Sequence, residues 1–319
     1  MKLTFLRRHI SVFLILAFVF SCLLGCSVGT SDGGTKAPST TTLQNPTSGR
    51  LIKVHMIDCG QADSILIQTE DGNMLIDAGD TAGQTKVTSY LKNNNITELE
   101  WLVLTHPHAD HIGAASTILS SLDVKRVMLP DAEYDSYAYS RLLSQLLTVD
   151  AEIHIVEVYE GLVTGLDEVT AQIYYAGDGF SMGELNFKIL SPITGDGNIN
   201  NYSIVLHMTY GNNRFLFAGD MEGVAENKLL NKFSKEDIAC DVLKVGHHGS
   251  YTSTSQRFLD ALNPKYALIS CGKNNDYGHP HTNILNRLQN NGVTTYRTDQ
   301  NGTVIVFSNG QDMNVITTK

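Results

Sequence analysis

Residues 102–111, Leu102-Val103-Leu104-Thr105-His106-Pro107-His108-Ala109-Asp110-His111, constrain this chain more than any other feature. The first part is an unbroken apolar run, as expected of a strand covered on both faces of a sheet. The second part packs three imidazoles and a carboxylate into six residues, and a helix is expected from Ile112. On extended backbone His106 and His108 point the same way, and the following turn brings Asp110 and His111 back toward them. Neutral imidazole and carboxylate are donors that suit Zn²⁺, and more ligands than one ion needs implies two ions sharing the site. The competing reading is a His-rich surface loop.

Two further elements repeat the pattern of an apolar strand that ends in polar chemistry. Arg214-Phe215-Leu216-Phe217-Ala218 runs into Gly219-Asp220, where a carboxylate at a strand mouth can lie between two cations. Gly-Asp by itself is also a common turn. Val242-Leu243-Lys244-Val245 runs into Gly246-His247-His248-Gly249-Ser250. Adjacent residues on extended chain face opposite ways, so one of the pair is expected to be a ligand. His247 is favoured and His248 is the alternative, with the other ring left to bond substrate or a supporting acid.

The organisation follows from the ends inward. Met1 to Arg8 is short and basic and Ile10 to Leu24 almost wholly apolar, as in a secretory signal. Leu23-Leu24-Gly25-Cys26 resembles the bacterial lipobox, which implies that residues 1–26 are a leader and Cys26 is lipidated, with Cys22 a weaker second choice and an uncleaved anchor the alternative. Residues 27–49, rich in Ser, Thr, Gly and Pro, cannot bury enough surface to fold and are expected to be a tether. Residues 50–319 form one body, with no second linker and no short repeat.

Hydrophobic residues make up 42% and charged residues 18%, with 27 Gly and 7 Pro, which excludes collagen-like, coiled-coil and low-complexity chains. The net charge of −10 lacks the basic footprint of a protein that grips long nucleic acid by charge alone. Beyond the leader remain Cys59, Cys240 and Cys271, an odd count that reads as buried thiols. Strands are expected at 51–58, 64–69, 74–77, 101–105, 126–129, 153–158, 171–176, 185–190, 203–210, 214–218, 242–245, 266–270 and 303–307. Helices are expected at 86–93, 112–122, 139–147, 222–233, 253–262 and 282–290. That order fits mixed sheets covered by helices, an α+β class.

Taken together, these elements resemble the metallo-β-lactamase fold, whose HxHxDH signature reads here as His106, His108, Asp110 and His111. Several further segments resemble the extracytoplasmic hydrolase domain of ComEC-type competence proteins. They are residues 58–64, 75–79, 201–206, 219–220, 247–250, 277–281 and 298–302. The resemblance implies a four-layer αββα sandwich with a dinuclear site at one edge between the sheets. It assigns His106 and His108 to one ion, Asp110 and His111 to the other, Asp220 as the bridge, and His247 as completing the second. Most of the superfamily supplies another His about twenty residues before the bridging acid. Here residues 195–201 carry none, and an amide oxygen of Asn200 or Asn201 would be a weaker ligand. Common class B β-lactamases carry Cys in place of Asp220, so antibiotic hydrolysis is not expected. Channel-forming segments of full competence proteins are not found, so the sequence by itself does not assign DNA import to this chain.

The sequence thus implies an exported, lipid-anchored hydrolase using two divalent ions, Zn²⁺ or Mn²⁺, on phosphodiesters, nucleic acid fragments among them. Asp110 and Asp220 would orient water, and His279, beside Pro280, would contact substrate or donate to its leaving group. Asp63 and Asp77 read as loop-holding acids near the site or as plain turn residues. His281, Thr298 and Asp299 read as rim, and Lys244 as meeting an anionic substrate or pointing to solvent. Tyr134, Tyr137 and Tyr139 read as an exposed loop or a substrate-facing insertion, and His55, His154 and His207 as structural. Two other functions compete: a non-catalytic surface lipoprotein that binds DNA or a partner, and an ester or thioester hydrolase.

Overall fold

Two β-sheets stack face to face in the computed structural model, which describes residues 50–158 and 171–319. The expected leader ending at Cys26 and the tether 27–49 lie outside the described residues. Among the described residues one sheet runs, in spatial order, Met313–Thr317, Val304–Ser308, Ile52–Met56, Ile65–Gln68, Asn73–Ile76, Trp101–Val103, Arg126–Pro130, Glu152–Val156 and Ala171–Tyr174. The other runs Gly179–Met182, Leu185–Ser191, Val205–Tyr210, Asn213–Phe217, Val242–Lys244, Tyr266–Ile269 and Thr294–Arg297.

Both strand faces are covered, which explains the near-continuous apolar runs. Ile67, Met74, Ile76 and Val103 of one sheet meet Phe187, Leu206, Met208 and Phe215 of the other in a central core. With the two-residue alternation of a strand, Leu66, Leu75 and Leu102 turn outward. There they pack against helices Gln84–Asn93, Ala115–Ser121 and Tyr137–Leu146 through Val87, Leu91, Ile118 and Leu142. Behind the second sheet, helices Gly223–Lys232, Gln256–Leu262 and Thr282–Asn290 bury Leu229, Phe258, Leu262, Ile284 and Leu288. The result is the αββα sandwich.

Each sheet changes from antiparallel to parallel pairing at one strand. In the first sheet Asn73–Ile76 pairs antiparallel with Ile65–Gln68 and parallel with Trp101–Val103. In the second, Asn213–Phe217 pairs antiparallel with Val205–Tyr210 and parallel with Val242–Lys244. Carboxyl ends of parallel strands at such a switch leave a crevice where loops diverge. Asp77, His106, Asp220 and the His247-His248 pair follow these four strands. The sheets are also laced together there, where Ile204 N donates to Thr105 O at 2.9 Å.

Strands Gly179–Met182, Thr294–Arg297 and Met313–Thr317 were not expected from the sequence. They are half-exposed edge or near-edge strands with little apolar patterning. Helix 112–122 is instead two segments, Ala109–Ile112 and Ala115–Ser121, so Asp110 and His111 already lie on helix. Cys59, Cys240 and Cys271 are buried free thiols. Among the described residues no helix is long and apolar enough to cross a membrane.

Candidate metal centre

The four strand ends converge on one carboxylate oxygen, Asp220 Oδ2. The Nε2 atoms of His111, His247, His248 and His106 lie 3.3, 3.7, 3.7 and 3.9 Å from it. His106 Nε2 in turn faces His108 Nδ1 at 3.0 Å. Two nitrogens held tetrahedrally about 2.0 Å from zinc would stand about 3.3 Å apart. Asp110 Oδ2 is 3.2 Å from His248 Nε2 and 3.9 Å from His111 Nε2. Asp110, His111, Asp220 and His248 therefore offer ligand atoms that all lie within 4.8 Å of one another.

Asp220 reaches this point because Gly219 turns in the left-handed region, φ +53°, where a Cβ would come within 2.9 Å of Ser203. Ser203 Oγ then accepts from Asp220 N at 3.0 Å and fixes the turn.

Hydrogen-bond bookkeeping assigns the protons. His111 Nδ1 donates to Asp77 Oδ2 at 2.7 Å, His248 Nδ1 to Ser270 O at 3.0 Å, and His247 Nδ1 to Thr252 Oγ1 at 3.3 Å, whose own proton goes to Glu222 Oε1 at 3.0 Å. Thr105 Oγ1 donates to Asp77 Oδ2 at 2.8 Å and so accepts from His106 Nδ1 at 3.2 Å. Each ring thereby turns an Nε2 lone pair toward Asp220. An imidazole lone pair facing a carboxylate at 3.2 or 3.3 Å is repulsive unless a cation lies between them. His111 Nε2 and Asp220 Oδ1 are buried without a hydrogen-bond partner. These donors fit divalent ions.

With no cation between them, protons on the rings would balance the same excess of carboxylate charge. Burial would lower the pKa of His111, but Asp220, Asp77 and Asp110 raise it well above the ordinary range. Burial likewise opposes charge on His248, which Asp220 and Asp63 push up to about 10. Burial favours a neutral Asp220, yet His111 and His248 hold its pKa well down. On the other side burial, with the charge of His111 next, keeps His106 well below its ordinary range, and burial lowers His108.

The reasoning that set His247 against His248 does not hold in the structure. The strand ends at Lys244, and both histidines sit in left-handed backbone, φ 49° and 53°, so neither is on extended chain. Both rings face Asp220, and His248, named as the alternative, joins Asp110 and His111. Asn201 Oδ1 accepts from Glu222 N at 3.0 Å, whereas Asn200 Oδ1 is buried without a partner while its Nδ2 donates to Glu222 Oε1.

Lys244 does not point to solvent. It is buried, pairs with Asp63, donates to Gly219 O at 2.9 Å and lies 3.8 Å from Asp220 Oδ1. Burial disfavours its charge, but Asp63 and Asp220 raise its pKa, and burial of Asp63 is likewise outweighed by Lys244, bringing that acid down to about 2. Asp63 and Asp77 are both at the site. Glu222 escaped the sequence reading. It accepts from Asn198, Asn200 and Thr252, and its Oε1 lies 3.1 Å from His247 Nδ1. A second carboxylate two residues after Asp220 was the available signal.

His279 stacks beside the pair, its ring centroid 5.5 Å from that of His247 and 6.1 Å from that of His248. Gln61 Oε1 accepts from Gly272 N at 2.9 Å, so Gln61 Nε2 faces His279 Nδ1 at 3.4 Å. The ring proton is thus left on Nε2. Burial, then the charges of His248 and His247, lower its pKa to about 4. Tyr134 lies against His108, ring centroids 5.0 Å apart, and Tyr251 against His281, also 5.0 Å. Thr298 and Asp299 bond Cys271 rather than the centre. His55, His154 and His207 are remote, packed against Tyr90, Trp101 and Ala239 O respectively.

An αββα sandwich with HxHxDH and an aspartate meeting at the sheet edge defines a metallo-β-lactamase-fold protein. The chain belongs to the metallo-beta-lactamase superfamily, whose family model matches residues 57–180 and 197–273. It is 35% identical over 271 residues to ComE operon protein 3 of Bacillus subtilis (strain 168), covering 79% of this chain and 32% of that protein. It is 31% identical over 248 residues to competence protein ComA of Neisseria gonorrhoeae, covering 77% and 30%. The chain spans about a third of the length of these curated relatives. Among solved structures it is similar to the metallo-beta-lactamase fold protein YhfI from Bacillus subtilis, at 13% identity and a TM-score of 0.45 over 77% of this chain and 95% of that one.

Proposed function

We propose that this chain is a metal-dependent phosphodiesterase with a two-ion centre, exported and lipid-anchored at Cys26. The reading rests on Asp220 Oδ2, ringed by four imidazole nitrogens at 3.3 to 3.9 Å. His111, His248 and Asp110 would hold one ion. His106, His108 and His247 would hold the other, with His247 taking the place of the imidazole that residues 195–201 lack, and Asp220 shared between them. Bound there, divalent ions, Zn²⁺ or Mn²⁺, supply Lewis-acid stabilisation of phosphoryl oxygens and lower the pKa of water. Asp110, held ionised by its histidine neighbours, orients the attacking water and accepts its proton. Lys244 keeps Asp63 neutralised beneath the site. His279, protonated at Nε2, offers a donor to the leaving oxygen.

The test is turnover of bis(p-nitrophenyl) phosphate by the full chain, with and without chelator, beside Asp220→Asn and His108→Ala. Activity should require a divalent ion and fall at least about 100-fold in both variants. Absence of turnover with every divalent ion tried, in a folded chain that still binds metal or DNA, would support the non-catalytic binding role. Turnover of p-nitrophenyl acetate or a thioester instead would move the chain to acyl hydrolysis. Anchoring is tested by fractionation, Cys26→Ala being expected to leave the membrane fraction.

A further inference from the structure

A cleft of about 350 Å³ is lined by Gln61 and Asn275, which both bond His279, and by Gly60, Lys86, Gly272 and Lys273. It shares residues with the centre's surroundings. Gln61 spans the two, one end on His279 Nδ1 and the other on Gly272 N. Asn275 is fully engaged as well, donating to Gly272 O and His279 O and accepting from His279 N.

The charges of the cleft do not cancel. Asp58 is paired with Lys319 at 2.7 Å, and Asp299 takes a two-pronged contact from Arg297 at 3.0 and 2.6 Å. Lys86 and Lys273 line the same cleft, both exposed, with no ion pair among the described residues. Lys86 Nζ lies over Gly60, 3.8 Å from where a Cβ would stand. Two uncompensated ammonium groups in a concave site are notable in a chain of net charge −10. They focus a positive potential where the rest of the surface repels anions.

We propose that the Lys86–Lys273 cleft is a subsite for a phosphate of a polyphosphodiester chain, a neighbour of the phosphate held at the metal centre. This rests on the phosphodiesterase reading and narrows it from isolated phosphoesters to chains of them. Ammonium groups serve phosphates as mobile point charges without demanding one orientation. The cleft thereby tolerates any backbone that repeats the phosphate. Nucleic acid strands and poly(glycerol phosphate) share that chemistry.

The experiment compares the full chain with Lys86→Ala/Lys273→Ala and Lys86→Arg/Lys273→Arg. Anisotropy of fluorescein-labelled hexathymidylate and of labelled poly(glycerol phosphate) of equal phosphate number is measured in chelator against salt. Kinetics on unlabelled hexathymidylate and bis(p-nitrophenyl) phosphate are measured with metal. The alanine pair should weaken binding at least tenfold and lower the slope of log affinity against log salt by about 0.7, as loss of one phosphate contact on a single strand requires. It should lower the ratio of kcat/KM on the hexamer to that on the small diester at least tenfold, through KM. The arginine pair should restore both. Binding of both polymers supports a backbone subsite, and binding of the nucleotide alone supports it while identifying the source. Unaltered affinity and salt slope in the alanine pair, or wild-type that binds neither polymer, overturns the proposal. Failure of the small diester in wild-type would overturn the hydrolase reading instead, with the anisotropy still deciding the cleft.

Discussion

The two sides of the centre are built differently. Around His111 and His248 the rings are buried, and their Nδ1 protons are tied to Asp77 and to a backbone carbonyl. Around His106, His108 and His247 the support is looser. Hydroxyls of Thr105 and Ser203 face His106, His108 is partly exposed, and His247 is 23% exposed and leans on Glu222. One side carries surplus carboxylate charge that a cation must balance, and on the other burial holds His106 and His108 neutral. The difference teaches that a dense histidine motif does not imply two equal ion positions. One is set by the core, and the other depends on groups at the rim.

Removing what the two sides share should have the largest effect. Asp220→Asn is expected to lower phosphodiester turnover by about 1,000-fold or more and to strip at least one ion per chain, read by metal analysis. Full metal content with near-normal turnover in that variant would dissolve the idea of a shared ligand. Next, His248→Ala should abolish the tightly held ion. Stabilisation by metal at 100 times its dissociation constant, about 2.7 kcal/mol in wild-type, would vanish from thermal melts. His247→Ala should instead lose activity that high metal concentration restores. Identical behaviour of the two alanine variants would erase the asymmetry.

Glu222→Gln sharpens the contrast further, because it loosens only the His247 side. Metal affinity there should fall about 10- to 100-fold with the other ion retained, checked by two-phase metal titration. The smallest expected effect lies away from the centre, at His55, and serves as a control for acid lability. Burial, aided by Lys53, depresses the His55 pKa to about 4, so the folded state resists protonation that the unfolded chain accepts near 6.5. Stability should therefore fall as pH drops from 6.5 toward 4, by at most about 3 kcal/mol. His55→Gln should flatten denaturant-measured stability over that window while leaving turnover at pH 7 alone. A fall of equal size in the variant would shift the acid sensitivity to other groups.

The central strands were legible because both their faces are covered and their apolar runs are long, as at Leu102 to Leu104 and Arg214 to Ala218. The edge strand Met313–Thr317 was not, since one face meets solvent and its pattern is mixed. The motif residues His106, His108, Asp110, His111 and Asp220 are brought together as the sequence suggested. The preference for His247 over His248 assumed that the strand ran on, whereas the backbone there is left-handed and both rings face Asp220. Lys244 was ambiguous because charge on a strand says nothing of burial; only the packing of Asp63 beside it does. For Glu222 the spacing two residues after Asp220 was legible, but its role was not, because Asn200 and Thr252, which define it, come from distant loops.

The left-handed backbone at His247 and His248 has a consequence for engineering. Non-glycine residues in that conformation cost about 1 to 2 kcal/mol each, a burden glycine does not carry. Directed evolution for heat resistance without an activity screen should therefore drift toward glycine at one or both positions. The hardier descendants would keep the sandwich and lose the rings, so this protein's endurance and its chemistry pull on the same two codons in opposite directions.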